Sequence, residues 1–133
     1  MSPARLSKGG VGDARNRRVI AAKYLEVAEI AATEEGAAAN NVVVGVAVLA
    51  GIAASDAICL AATGARHAGD SHDEAAKLLA RVDRHLGEEL SKLVRLKPGA
   101  HYGSRFIGNE ERTRALRAAS VLVAAATERT LGA

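Results

Sequence analysis

Residues 42–63 read VVVGVAVLAGIAASDAICLAAT, an apolar and small-residue run interrupted by Ser55 and Asp56. Its length is that of a bilayer-spanning helix, which needs about 20 apolar residues. An ionised Asp inside such a span costs roughly 2.5–3.5 kcal/mol, and alanine and glycine return little per residue to offset it. The same pattern describes a helix that is hydrophobic all round because it sits at the centre of a helical protein. That reading excludes a membrane role, and Gly45 and Gly51 then permit close helix contact rather than forming a phosphate loop, since no Lys-Ser/Thr ending follows them.

The rest of the composition agrees. The 133 residues are 49% hydrophobic and 25% charged, but only 2% aromatic, namely Tyr24, Tyr102 and Phe106. A core must therefore be built from Ala, Leu and Val, and alanine's helix propensity predicts an all-α protein. One domain is expected at this length. The N-terminal stretch is basic with no apolar segment behind it, so residues 1–14 read as a mobile basic arm and residues 15–133 as a single helical-bundle domain. The lone cysteine, Cys59, excludes an intramolecular disulfide, and a reducing cytoplasm is the simplest compartment.

Turn signals divide the chain into four helices. Ile20, Tyr24, Val27 and Ala31 step by four, three and four, predicting a first helix over about 13–35 that buries this stripe. Asn40 and Asn41 offer caps for the second helix, from Val42 to about Thr63, with Gly64 as its stop. Ser71 and Glu74 make a capping-box pattern that opens a third. Leu79, Val82, Leu86, Leu90 and Leu93 carry its inner face, and it should stop before Pro98. Asn109, Glu110 and Glu111 start the fourth, which runs to about Thr130 with Leu116, Ala119, Leu122 or Val123 and Ala126 inward. Short connections between helices of this length predict an antiparallel up-and-down four-helix bundle.

Charge is unevenly spread along the chain. Residues 1–23 carry six basic groups and one acid, residues 24–64 five acids and no Lys or Arg, and the remainder twelve basic groups and nine acids. This dipolar pattern suits a polyanion, or the pairing of one copy's basic segment with another's acidic one.

Few polar residues fall where a bundle has no use for them as solubilising groups: Asp56, His72, and Arg95, Lys97, His101 and Tyr102 in the stretch RLKPGAHYG (95–103). Asp56 must find a cation or donors, either as a structural ion pair or by orienting Arg95 or His101. His67, His72, His85 and His101 lack the i, i+4 spacing of a helical zinc pair, so no metal and no cofactor is expected. Arg95 and His101 could serve phosphodiester chemistry, with imidazole moving a proton and guanidinium holding phosphate oxygens. Alternatively Arg95 caps a helix end while His101 and Tyr102 anchor a loop.

SDAICLAATG (55–64), Gly69-x-x-His72-x-x-Ala75 leading to Leu78-Leu79, LKPGAHYG (96–103) and RALRAASVLVAAA (114–126) resemble segments of the higher eukaryotes and prokaryotes nucleotide-binding (HEPN) superfamily, in particular its actinobacterial members. The resemblance spans about residues 17–130. It implies a HEPN-like helical bundle, a homodimer, and a dimer-interface polar cleft that binds nucleotide, RNA or a protein partner of antitoxin type. Many members are metal-independent endoribonucleases, of toxin or RNA-processing type, with Arg, four to six residues, then His. Arg95 and His101 match that spacing and are the implied catalytic pair, with Asp56, His72, Lys97 and Tyr102 binding substrate or supporting it. Leu96 follows the arginine where the nucleases commonly carry a polar residue, so a non-catalytic or regulatory binding module is the expected function. Ribonuclease and purely structural dimer are the alternatives.

Overall fold

The apolar run forms the C-terminal part of the longest helix in a computed structural model that describes residues 5–131. The described residues are mostly helical, with five helices and one two-stranded ribbon: β1 (Leu6–Lys8), α1 (Val11–Ala31), α2 (Ala37–Thr63), β2 (Ala65–His67), α3 (His72–Val82), α4 (Arg84–Tyr102) and α5 (Asn109–Thr130). Helix α2 lies at the centre and packs on α1, α3, α4, α5 and β2. Among the described residues it is the one helix long and apolar enough to cross a membrane, and 78% of that window is buried inside the protein. Its interior side chains are small, so neighbours approach closely. A Cβ on Gly51 would fall 2.4 Å from a Leu93 methyl, and one on Gly45 3.0 Å from the His101 ring.

Several helices differ from the reading of the sequence. In α1 the buried row is Ala14, Ala21 and Ala28, one heptad apart, whereas Ile20 and Val27 are exposed and Tyr24 and Ala31 half-buried. Alanine carries no bulk beyond Cβ, so an alanine face lets α1 lie tightly on α2. Helix α2 begins at Ala37, after Gly36 at φ 107°, and not at Val42. Asn40 and Asn41 therefore lie inside the helix and clamp the α4–α5 connection. Asn40 Nδ2 donates to the Ile107 carbonyl (2.8 Å) and to Asn109 Oδ1 (3.0 Å). Asn41 Nδ2 donates to the Arg105 carbonyl, and its Oδ1 accepts the Ile107 N–H at 2.9 Å.

The expected third helix is two helices. Ser71 caps α3 as predicted, its Oγ accepting the Glu74 N–H. At Asp83 the backbone turns extended, and the Asp83 carboxylate accepts the Leu86 N–H and caps α4. It also pairs with Arg129 near the end of α5. Past this corner Gly87 lies against Ala80, where a Cβ would sit 2.6 Å from Ala80 Cα. Helix α4 does not stop before Pro98 but continues to Tyr102, so the RLKPGAHYG stretch is helical up to its last residue.

The segment assigned to the basic arm is structured where it is described. Residues 6–8 pair antiparallel with 65–67, Leu6 opposite His67, and residues 11–14 form the first turn of α1, where Asp13 accepts the Gly10 N–H. Residues 1–4 of that arm lie outside the described part.

Candidate functional site

Six positions along an α-helix turn through about 600°, so Arg95 and His101 point roughly 120° apart and are separated by about 9 Å along the axis of α4. The structure follows this geometry. His101 faces α2, its Nε2 3.3 Å from the Gly45 carbonyl oxygen. That oxygen only accepts, so Nε2 carries the proton and Nδ1 is the nitrogen with basic character. The ring meets Tyr102 edge-on at 6.0 Å between centroids. It borders a shallow cleft of about 230 Å³ shared with Val42, Val46 and Leu49.

Arg95 turns the other way. It lines a cleft of about 240 Å³ between α4 and α5 with Lys92, Leu96, Glu111 and Arg114, and a second one toward α3 with Asp73 and Lys77. Among the described residues, the clefts that Arg95 lines and the one that His101 borders have no lining residue in common. Tyr102, seven residues from Arg95, lies on Arg95's face of the helix and is 79% exposed.

Lys97 and His72 are brought together. Lys97 Nζ donates to His72 Nε2 at 2.7 Å, bridging α4 to the start of α3. An ammonium has only donors, so the imidazole must be neutral at that nitrogen. Partial burial, helped by the Lys97 charge, holds the His72 pKa below its ordinary 6.5. His101 is one turn beyond Lys97 on the same side of α4.

A histidine with a lowered folded pKa contributes stability that is fully present above its unfolded value and is lost as pH falls through the folded one. The unfolding midpoint should therefore fall on acidification from pH 7 toward 5. His72→Gln should flatten that fall by no more than about 1 kcal/mol, because solvent screens the partly exposed pair. Thermal unfolding of both proteins across this range measures the difference.

Asp56 belongs to a different cluster. It is buried, and its Oδ2 accepts from Arg17 at 3.0 Å and lies 3.6 Å from Arg66, joining α2 to α1 and β2. Burial pushes its pKa up against the opposing pull of the two arginines. Asp56 and Gly45, the seat of His101, lie roughly 16 Å apart along α2 at 1.5 Å per residue. Asp56 thus pairs with Arg17 and Arg66, and not with Arg95 or His101. Next to it the Cys59 thiol is pushed up to about 11 by burial, with the Asp56 charge adding to the effect. No group of three His, Cys, Asp or Glu among the described residues is arranged to hold a metal ion.

Four features of these sites were absent from the sequence reading: Arg17 and Arg66 as partners of Asp56, Gly45 as the seat of His101, and Arg114 beside Arg95. Only Gly45 left a signal, as a glycine inside a helix. The region around α4 and the start of α5 is strongly basic. Residues 91–117 hold seven Lys or Arg and two Glu, a net of +5. Arg95, Arg105, Arg114 and Arg117 are exposed on it. No family model matches the chain, and neither do any curated protein or solved structure.

Proposed function

We propose that the protein is a HEPN-like, cytoplasmic, homodimeric binding module for RNA or nucleotide phosphates, with α3 and α4 together filling the third position of a four-helix arrangement. The observation that carries this reading is the exposed basic surface of α4 and early α5, where Arg95 and Arg114 share one cleft, with Lys97 and His101 on the other side of α4. Guanidinium and ammonium groups there would hold phosphate oxygens. The exposed Tyr102 supplies a flat ring on which a base can stack.

Binding is favoured over catalysis because Arg95 and His101 diverge within one chain. The ribonuclease alternative rests on His101, whose Nδ1 would move a proton once a second copy's arginine completed the site. His101 would then take the proton of a ribose 2′-hydroxyl, which predicts cleavage of RNA and not DNA.

Fluorescence anisotropy with a labelled single-stranded RNA tests the reading. Binding should weaken as salt rises, and Arg95→Ala or Arg114→Ala should each lower affinity several-fold while reducing the slope of log K against log salt by about 0.7. No binding by the wild-type chain at low salt would overturn it. Shortening of the RNA in chelator, lost in His101→Ala, would establish the nuclease reading instead.

A further inference from the structure

The chain holds three aromatic residues, and of these only Tyr24 packs against the core. Tyr102 and Phe106 are 79% and 70% exposed, at the two ends of residues 102–106, where the chain leaves α4 for α5. An aromatic ring buries more apolar area than any side chain in this alanine-rich core, so two rings held in water mark a surface that a ligand covers.

The connector that carries Phe106 is anchored on both sides of it. Asn41 donates to the Arg105 carbonyl at 3.2 Å and accepts the Ile107 N–H at 2.9 Å, and Asn40 donates to the Ile107 carbonyl at 2.8 Å. Ile107 is buried, so the same bonds that fix its side chain inward leave Phe106 outward. At the other end the chain folds tightly against the last turn of α4, where a Cβ on Gly103 would fall 2.7 Å from the Gly99 carbonyl oxygen. Four residues span at most about 14 Å, close enough for both rings to meet one strand of ligand. Rings placed in advance lose little freedom on binding.

The charges beside the rings identify that ligand. Arg114 lines both the cleft with Arg95 and a second one of about 360 Å³ with Asn109, Glu110 and Thr113. Together the two clefts follow α5 down to its first residue, next to the connector. Lys92 on this track is held by Glu89 at 2.9 Å. Among the described residues, however, Arg95, Arg105, Arg114 and Arg117 have no ion-pair partner, and Glu110 and Glu111 pair with none of them. Unpaired guanidinium groups hold phosphate oxygens, and exposed rings hold base faces. A duplex keeps its base faces inside its own stack, and a mononucleotide has one base for two rings.

We propose that the α4–α5 connector is a stacking platform for single-stranded nucleic acid, with bases on Tyr102 and Phe106 and the phosphate backbone on Arg95, Arg105 and Arg114. This rests on the phosphate-binding reading above and narrows its ligand to an unpaired strand of more than one nucleotide. RNA and DNA strands offer the same base faces, so both bind.

Fluorescence anisotropy on the full chain tests it with a labelled oligouridine of about 12 nucleotides, the matching oligothymidylate, and a duplex of the same length. Tyr102→Leu and Phe106→Leu should each weaken binding of both single strands about fivefold or more, and leave the duplex affinity and the helical circular dichroism unchanged. Tyr102→Phe and Phe106→Tyr keep a ring and should bind as the wild type does. Leucine variants that bind oligouridine like the wild type, or that lose duplex binding equally, overturn the proposal. If Arg114→Ala still lowers affinity in that case, the basic cleft stands without the platform, and the rings fall to a protein partner. A wild type that binds no oligonucleotide at low salt removes the basic cleft and the platform together.

Discussion

Alanine at Gly87 should destabilise the protein by about 2 kcal/mol, which for a domain of this size lowers the thermal midpoint by roughly 6–10 °C. The direction is the informative part. Inside a helix, glycine to alanine ordinarily stabilises by up to about 1 kcal/mol, through propensity and a less free unfolded chain. At Gly87 the new methyl would meet Ala80 Cβ at 2.5 Å, its Cα at 2.6 Å and its backbone nitrogen at 2.8 Å. Backbone cannot rotate aside as a side-chain tip can, so the α3–α4 corner must open, and Leu79, Leu86 and Leu90 lose packing on both sides of it. Gly99→Ala on the same helix is the control, for nothing lies within 4 Å of its added Cβ. It should stabilise by a few tenths to about 1 kcal/mol. Denaturant unfolding of the two variants measures both signs, and equal effects would contradict the close approach at Gly87.

Replacing Asp56 by leucine should cost about 2–4 kcal/mol, at or just under the range for breaking a fully buried pair. The loss comes less from the missing bond than from what stays behind. Arg17 would keep a guanidinium facing the protein with no carboxylate, and its Nε already has no hydrogen-bond partner. Arg17 is 29% and Arg66 38% exposed at the side chain, so water relieves part of the cost and keeps it from the top of the range. Burial raises the Asp56 pKa despite both arginines, which means that their attraction does not fully offset desolvation of the carboxylate. Adding Arg17→Met to Asp56→Leu should therefore recover more than half of the lost stability. A double-mutant cycle by chemical denaturation tests it. A double variant no more stable than Asp56→Leu alone would mean that the charge left behind is not the cause.

What could be read in the chain divides along physical lines. Signals carried by one residue and its near neighbours were legible: Ser71 as a cap, Gly64 at φ 76° as the end of α2, and the buried apolar run itself. Bulk-weighted periodicity misled at α1, because it follows Ile20 and Val27 while the packing face is made of alanine. The break at Asp83 was hidden by a leucine repeat that runs on through it, although an Asp three residues before Leu86 is a capping signal. Asn40 and Asn41 look alike in sequence whether they cap their own helix or clamp a distant loop. At the site, the placement of Lys97 and His101 on one side of the helix and of Arg95 on another needs only a continuous α4, and the reading that Pro98 ends the helix concealed it, while the contact of Lys97 with His72 also needs α3 packed on α4. The Arg17 and Arg66 partners of Asp56 come from other elements, and nothing local to Asp56 distinguishes them from Arg95.

The β1–β2 ribbon joins residues near the start of the described chain to residues just past α2, with Gly9 N–H donating to the Gly64 carbonyl at one end and Ala68 N–H to the Arg5 carbonyl at the other. It closes a loop of about 60 residues, a length over which a disulfide would withhold roughly 4 kcal/mol of entropy from the unfolded chain. A hydrogen-bonded clasp imposes no such restriction on the unfolded chain, so it must be held by native contacts alone. In return the closure involves no sulfur: the single thiol lies in the core, so the hydrogen bonds of the ribbon are the same under oxidising and reducing conditions.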